Sequence, residues 1–159
     1  MDLDATDVAI VTELQHDGRI TNAELAERVG LSPSACLRRV RSLEQSGVIT
    51  RYAAVLDPVA IGRGTSVFVE ITLTSQAEPE LTAFEAAIVA RPEVMRCHLM
   101  AGEADYLVQL ACADVADYER LHRILANLPG VSRLRSSFAI RRICDRTAYD
   151  LGPTERSSR

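Results

Sequence analysis

The sequence predicts an α+β protein of two modules: three short helices, then a unit of strands and helices in the order βαββαβ. Three observations carry that prediction. Helix caps recur at short intervals as far as Ser46, and from Ser66 the apolar residues switch toward the two-residue period of strands. The charge also changes sign between the two stretches. Arg28 to Arg51 holds five arginines against the single acid Glu44, whereas Pro58 to Ser132 holds five arginines against ten acids. The overall net charge of -4 hides this division. A basic patch ahead of an acidic body implies modules with different partners.

Composition narrows the class further. Hydrophobic residues make up 47% of the 159 residues and charged ones 25%, the balance of a globular protein. No apolar run approaches the roughly 20 residues that cross a bilayer, so no membrane partner is expected. The opening Met1-Asp-Leu-Asp-Ala-Thr-Asp7 lacks the basic-then-apolar order of a signal peptide. Four scattered cysteines without a C-x-x-C pair predict neither disulfides nor a metal site, and a cytoplasmic location is the expectation. No cofactor is expected.

In the first module Asp4 caps a helix whose Val8, Ile10, Val11 and Leu14 form an apolar stripe, ended by Gly18. Thr21 and Glu24 have capping-box spacing and open a helix of about two turns that Gly30 stops. Ser32-Pro33 starts a third helix, with serine as cap and proline where no N–H is needed. That helix has two faces. Leu37, Val40 and Leu43 are expected to pack inward, while Ser34, Ala35, Arg38, Arg41 and Ser42 share the other side, with Arg39 at its edge. Small residues followed by arginines suit a major groove, since the backbone approaches closely and guanidiniums reach guanine edges or phosphates. Val48 to Leu56 reads as a strand, which completes a winged helix-turn-helix over residues 1–51 with Arg51 on the wing. The candidate DNA contacts are Ser32, Ser34, Ala35, Arg38, Arg39, Arg41, Ser42 and Arg51. The plain alternative is a three-helix interaction domain with a solvated basic face.

A connecting stretch over 52–64 leads to the second module, residues 65–150, before a flexible tail at 151–159. Ser66 to Leu73 alternates as a half-buried strand. Pro79 begins a helix burying Leu81, Phe84 and Ile88. Val94 to Met100 and Tyr106 to Cys112 read as strands around the turn at 101–105. Asp114 caps a helix with Tyr118, Leu121, Leu125 and Leu128 on one face, and Val131 to Ile143 supplies the last strand. Pro92-x-Val94-x-Arg96 and Pro129-x-Val131-x-Arg133 repeat the same helix-to-strand step. The order is that of ferredoxin-like folds. A four-stranded sheet with both helices on one face leaves the other face open. If the β-branched side of the first strand, Val67, Val69, Ile71 and Leu73, is not fully covered by the helices, it needs a partner subunit, and an obligate dimer through this module is expected. A dimer supplies the two-fold symmetry that matches half-sites about 34–36 Å apart.

Several segments together resemble the Lrp/AsnC feast/famine transcriptional regulators. They are Leu14-Gln-x-Asp17-Gly18-Arg19-Ile20, Glu24-Leu25-x-x-Arg28-Val29-Gly30-Leu31-Ser32-Pro33 and Arg38-Arg39-x-Arg41-x-Leu43-Glu44-x-x-Gly47-x-Ile49. In the second module they are Phe68-Val-Glu-Ile-Thr72, Cys97-His98-Leu99, Gly102-Glu-x-Asp105-Tyr106-Leu107 and Leu128-Pro129-Gly130-Val131. The resemblance covers about Leu3 to Asp150. It implies a winged helix-turn-helix that binds double-stranded DNA, with Asn22 to Arg41 as its reading unit. It also implies an amino-acid-sensing RAM domain, and homodimers that commonly assemble into octamers. The effector pocket it implies lies between dimers and draws on Leu99, Met100, Ala101, Gly102, Asp105, Tyr106, Val115, Ser137, Phe138 and Ala139. Chemically, Ala101 and Gly102 allow a carboxylate near backbone N–H groups, while Asp105 either pairs with an α-ammonium or fixes the loop.

An enzyme is the rival from another class. There is no Gly-rich phosphate loop and no H-E-x-x-H, and His16, His98 and His122 lie far apart; His98 is expected to be packed. A second rival is an architectural DNA-binding protein without an effector.

Overall fold

The computed structural model describes residues 3–152. The described residues form two compact units, one of residues 3–55 together with 144–152, the other Leu56–Ile143. Most of the expected tail, 153–159, lies outside the described residues.

The first unit contains α1 (Ala5–His16), α2 (Asn22–Arg28) and α3 (Pro33–Gln45). Local chemistry sets each start. Asp4 accepts the Asp7 N–H at 2.8 Å, Thr21 and Glu24 close a capping box, and Ser32 accepts from the Ala35 N–H ahead of Pro33. Gly30 ends α2 at φ 70°, which lets the Leu31 N–H reach back to the Ala26 carbonyl at 2.8 Å. Ile10, Leu25, Ala26, Cys36 and Leu43 form the core, with Val11, Leu14, Val40 and Ile49 packed against it.

Two expectations for this unit need correction. Leu37 does not pack inward; Cys36, fully buried, takes that place and leaves Leu37 39% exposed. Positions 36, 40 and 43 satisfy helical spacing as well as 37, 40 and 43 do, so periodicity alone could not choose between them. Val48 to Leu56 forms no strand. Those residues carry strand-forming side chains, but no second strand of this unit lies alongside to take up their hydrogen bonds. Near the end of the described residues, Tyr149 meets α1. The Gln15 side chain donates to the Tyr149 carbonyl and accepts the Tyr149 N–H at 2.6 Å.

The second unit contains β1 (Thr65–Leu73), α4 (Glu78–Val89), β2 (Val94–Leu99), β3 (Tyr106–Cys112), α5 (Val115–Ala126) and β4 (Val131–Phe138). The four strands form one antiparallel sheet in the order β2-β3-β1-β4. Central β1 places Val69 between Val108 and Ser136. Its Val67, Val69 and Ile71 are fully buried with Val108, Phe84 and Ile88, and Leu121 and Leu125 of α5 join the same core. Phe84 stacks on Tyr106 with ring centroids 4.5 Å apart.

The β-branched side of β1 is therefore sealed by the helices, so the condition under which that side would need a partner is not met. The opposite side is open, and there Phe68 is 37% exposed with Glu70 and Thr72 beside it. β4 also stops at Phe138 rather than Ile143, because Val67 is the last residue of β1 that it meets in register and only the Ala139 N–H bonds further, to Ser66. His98 is exposed, not packed. Among the described residues, no helix is long and apolar enough to cross a membrane.

Candidate nucleic-acid interface and ligand pocket

The outer face of α3 forms a shallow groove lined by Ser34, Leu37, Arg38, Arg41, Ser42 and Gln45. Arg38, Arg41 and Arg51 are exposed, and none of them forms a salt bridge within the described residues. Their charge stands ready for an outside anion. Ser32 is committed locally as the helix cap, with its hydroxyl 3.3 Å from that of Ser34, and Ala35 is half-buried behind it. Arg39 points elsewhere: its guanidinium holds Asp4 at 2.7 Å and Asp7 at 2.8 Å, tying α3 to the start of α1. Asn22, which sequence reasoning did not single out, donates to the Pro33 carbonyl at 2.9 Å and fixes α2 against the first turn of α3. A polar residue at the start of α2 was the available signal. Arg28 similarly bridges to Glu13 at 2.9 Å.

On the second unit a concavity of about 220 Å³ opens at the loop end of the uncovered sheet face. The loop contributes Met100, Ala101, Gly102, Glu103 and Ala104, β1 contributes Glu70 and Thr72, β3 Tyr106 and Leu107, and β4 Arg133 and Arg135. Two ion pairs cross its lining, Arg133 to Glu103 at 3.0 Å and Arg135 to Glu70 at 3.7 Å. Gly102 has an ordinary φ, and a Cβ built there would meet nothing within 4 Å, so this chain's own fold has no need of a glycine at that point.

The expected effector residues divide. Met100, Ala101, Gly102 and Tyr106 line the concavity, whereas Leu99 is exposed at the end of β2 outside it. Asp105 does not line it. Only 4% exposed, its carboxylate accepts the Leu73 N–H at 2.7 Å and the Gln76 amide at 2.5 Å, so it fixes the loop to the end of β1. Tyr106 is buried beneath the loop, its hydroxyl donates to Glu85 at 2.8 Å, and burial first, then Glu85, raises its pKa. Val115, Ser137, Phe138 and Ala139 are not in the lining either. Val115 begins α5, and Phe138 packs edge-on against Tyr118 at 5.0 Å on the helix side of the sheet. Ser137 is on the open face but lies opposite Phe68, beyond the lining residue Arg135. Glu70, Glu103, Arg133 and Arg135 also line the concavity and were not among the expected residues. The alternation of Glu70 in β1 and of Arg133 and Arg135 in β4 was visible, but which side of the sheet stays open was not. No group of three His, Cys, Asp or Glu side chains that would hold a metal occurs among the described residues.

Comparison with known proteins identifies two regions of the chain. Residues 3–50 match the winged helix-turn-helix DNA-binding family, and residues 66–149 match the Lrp/AsnC ligand binding domain. The leucine-responsive regulatory protein of Salmonella typhimurium is 46% identical over 136 residues, covering 85% of this chain and 83% of that protein. A transcriptional regulator of Neisseria meningitidis, crystallised with L-Met, superposes with a TM-score of 0.89 at 38% identity, covering 94% of this chain and 97% of that one. The feast or famine regulatory protein of M. tuberculosis, complexed with L-methionine, gives 0.86 at 35% identity, over 93% and 99% of the two chains. With a DNA-binding helix-turn-helix ahead of a ligand-binding sheet, this chain belongs to the Lrp/AsnC family of transcriptional regulators.

Proposed function

We propose that this regulator reads operator DNA with the outer face of α3 and is tuned by a small zwitterion, an amino acid, bound at the loop end of the open sheet face. Ser34, Arg38, Arg41 and Ser42 make the DNA contacts, with Arg51 reaching the flanking backbone. Arg39 has a structural role instead. The observation that carries the effector reading is the charge pattern of the concavity: two arginines and two glutamates, paired only with each other, around a glycine loop. An α-carboxylate competes for Arg133 or Arg135 and an α-ammonium for Glu70 or Glu103. At about 220 Å³ the space falls below the range of drug-sized pockets and suits a ligand of few heavy atoms. Methionine, bound by two similar proteins, and leucine, to which relatives are named as responding, are the first candidates.

The concavity is open on one side in the single chain. A second copy laid on the uncovered sheet face, around exposed Phe68, would close it and supply the two-fold symmetry of the DNA-reading unit. Assembly to an octamer and a cytoplasmic location belong to the same proposal. By linkage, an effector that binds one assembly more tightly shifts the spacing of reading helices along DNA.

Thermal unfolding against each of the twenty amino acids tests the effector reading. A ligand at 100 times its dissociation constant stabilises its site by about 2.7 kcal/mol. One or a few hits support it, and no shift at millimolar concentrations favours an architectural DNA-binding protein.

A further inference from the structure

The groove on α3 contains one apolar side chain. Leu37 is 39% exposed there, while its neighbour Cys36 fills the core. It stands one helical turn after Ser34 and one before Arg41, in the half of the helix that meets base edges when a helix-turn-helix enters the major groove. Arg38 and Arg41 have hydrogen-bond donors to offer that groove, but a leucine has none. Every base-edge nitrogen or oxygen it covers loses water and gains no partner, which is unfavourable. The one group in the major groove that gains from such a neighbour is the C5-methyl of thymine.

We propose that Leu37 is a specificity determinant that reads a thymine methyl in each operator half-site, beside a guanine held by Arg38 or Arg41. This rests on the assignment of α3 as the DNA-reading helix. Leu37 then adds discrimination where the arginines add affinity.

The test uses the full chain and an operator enriched from a random duplex pool. Each thymine of that operator is replaced in turn by deoxyuridine, which removes the methyl and keeps the pairing. One position per half-site is expected to lose affinity about fourfold, the factor a single buried methyl is worth. Leu37→Ala should bind the thymine and deoxyuridine forms of that position equally, while its melting temperature is unchanged because the side chain is at the surface. Leu37→Gln provides a second variant and should likewise lose the methyl preference. An operator that tolerates every deoxyuridine, or a variant that keeps the discrimination, overturns the role of Leu37 and leaves α3 as the reading helix. Failure of the pool to enrich any sequence overturns both.

Discussion

The Arg39 guanidinium of α3 lies 2.8 Å from the Asp7 carboxylate of α1, whose side chain is 10% exposed. Asp4, the cap of the same helix, is held by the same nitrogen at 2.7 Å. One arginine thus fastens α3 to the acidic start of α1, where negative charge already favours the helix dipole. Its neighbours Arg38 and Arg41 have no such partner within the described residues. Three arginines within four positions therefore divide into one structural and two available to DNA.

That division predicts opposite phenotypes. Arg39→Ala leaves Asp7 nearly buried without its cation, so the first unit should lose about 1–3 kcal/mol, seen as a lower melting temperature. Operator affinity of the folded fraction should hold. Arg41→Ala should leave melting unchanged and weaken operator binding, with a shallower salt dependence because fewer counterions are released. Fluorescence anisotropy at several salt concentrations, alongside circular-dichroism melting, separates the two.

Acid sensitivity follows from the same contacts. The Asp4 carboxyl is held below the ordinary carboxylate range, mainly by the Asp7 N–H and then by Arg39. In the second unit Asp117 is lowered by the Ala113 N–H and then by Arg120. A carboxyl whose folded pKa is depressed contributes stability that is complete above its unfolded value and is lost as pH falls through the folded one. Urea midpoints should therefore hold steady from neutrality to about pH 5 and fall below about pH 4. Arg39→Ala should flatten that fall for the first unit only.

What the sequence revealed was local. Asp4, the Thr21–Glu24 box, Ser32-Pro33 and Asp114 act on backbone groups within three residues, so the starts of α1, α2, α3 and α5 were legible. What it hid depends on residues far away. Arg39 pairs 32 positions back with Asp7, and Asp105 reaches 32 positions back to the Leu73 N–H. Neither distance leaves a spacing pattern. Which side of the sheet stays open was undecided for a related reason. Alternation in β1 separates Val69 from Phe68 but does not say which of them α4 and α5 will cover. Of the concavity, the Ala101-Gly102 turn was legible, whereas Glu70, Arg133 and Arg135 join it only through strand pairing.

Asp105 gives a further test. Removing its carboxylate in Asp105→Ala leaves the Leu73 N–H buried and unpaired, which should cost about 1–3 kcal/mol in the second unit. Asp105→Asn keeps an acceptor oxygen and should lose less. Effector response should follow loop integrity: lost in the alanine variant, retained with weakened affinity in the asparagine variant. Loss of response to the same degree in both, at equal stability, would make the charge itself a ligand contact. Hydrogen exchange of the Leu73 amide reports on the loop directly.

Arg133 and Arg135 face the concavity with their charges spent on Glu103 and Glu70 at 3.0 and 3.7 Å. Both pairs are solvent-exposed and contribute little to stability, in the range of 0–1 kcal/mol for such surface pairs. Arg133→Gln should therefore melt near the parent temperature. If the effector's carboxylate replaces Glu103 as the partner of Arg133, the same variant forfeits a charge-assisted hydrogen bond of about 1.5–3 kcal/mol, on the order of tenfold to a hundredfold in effector affinity. Glu103→Gln removes the competing carboxylate and should tighten binding or leave it level. Calorimetric titration of the effector into both variants reads the two effects. Equal weakening in both would place the carboxylate elsewhere in the loop, on the backbone N–H groups of Ala101 and Gly102.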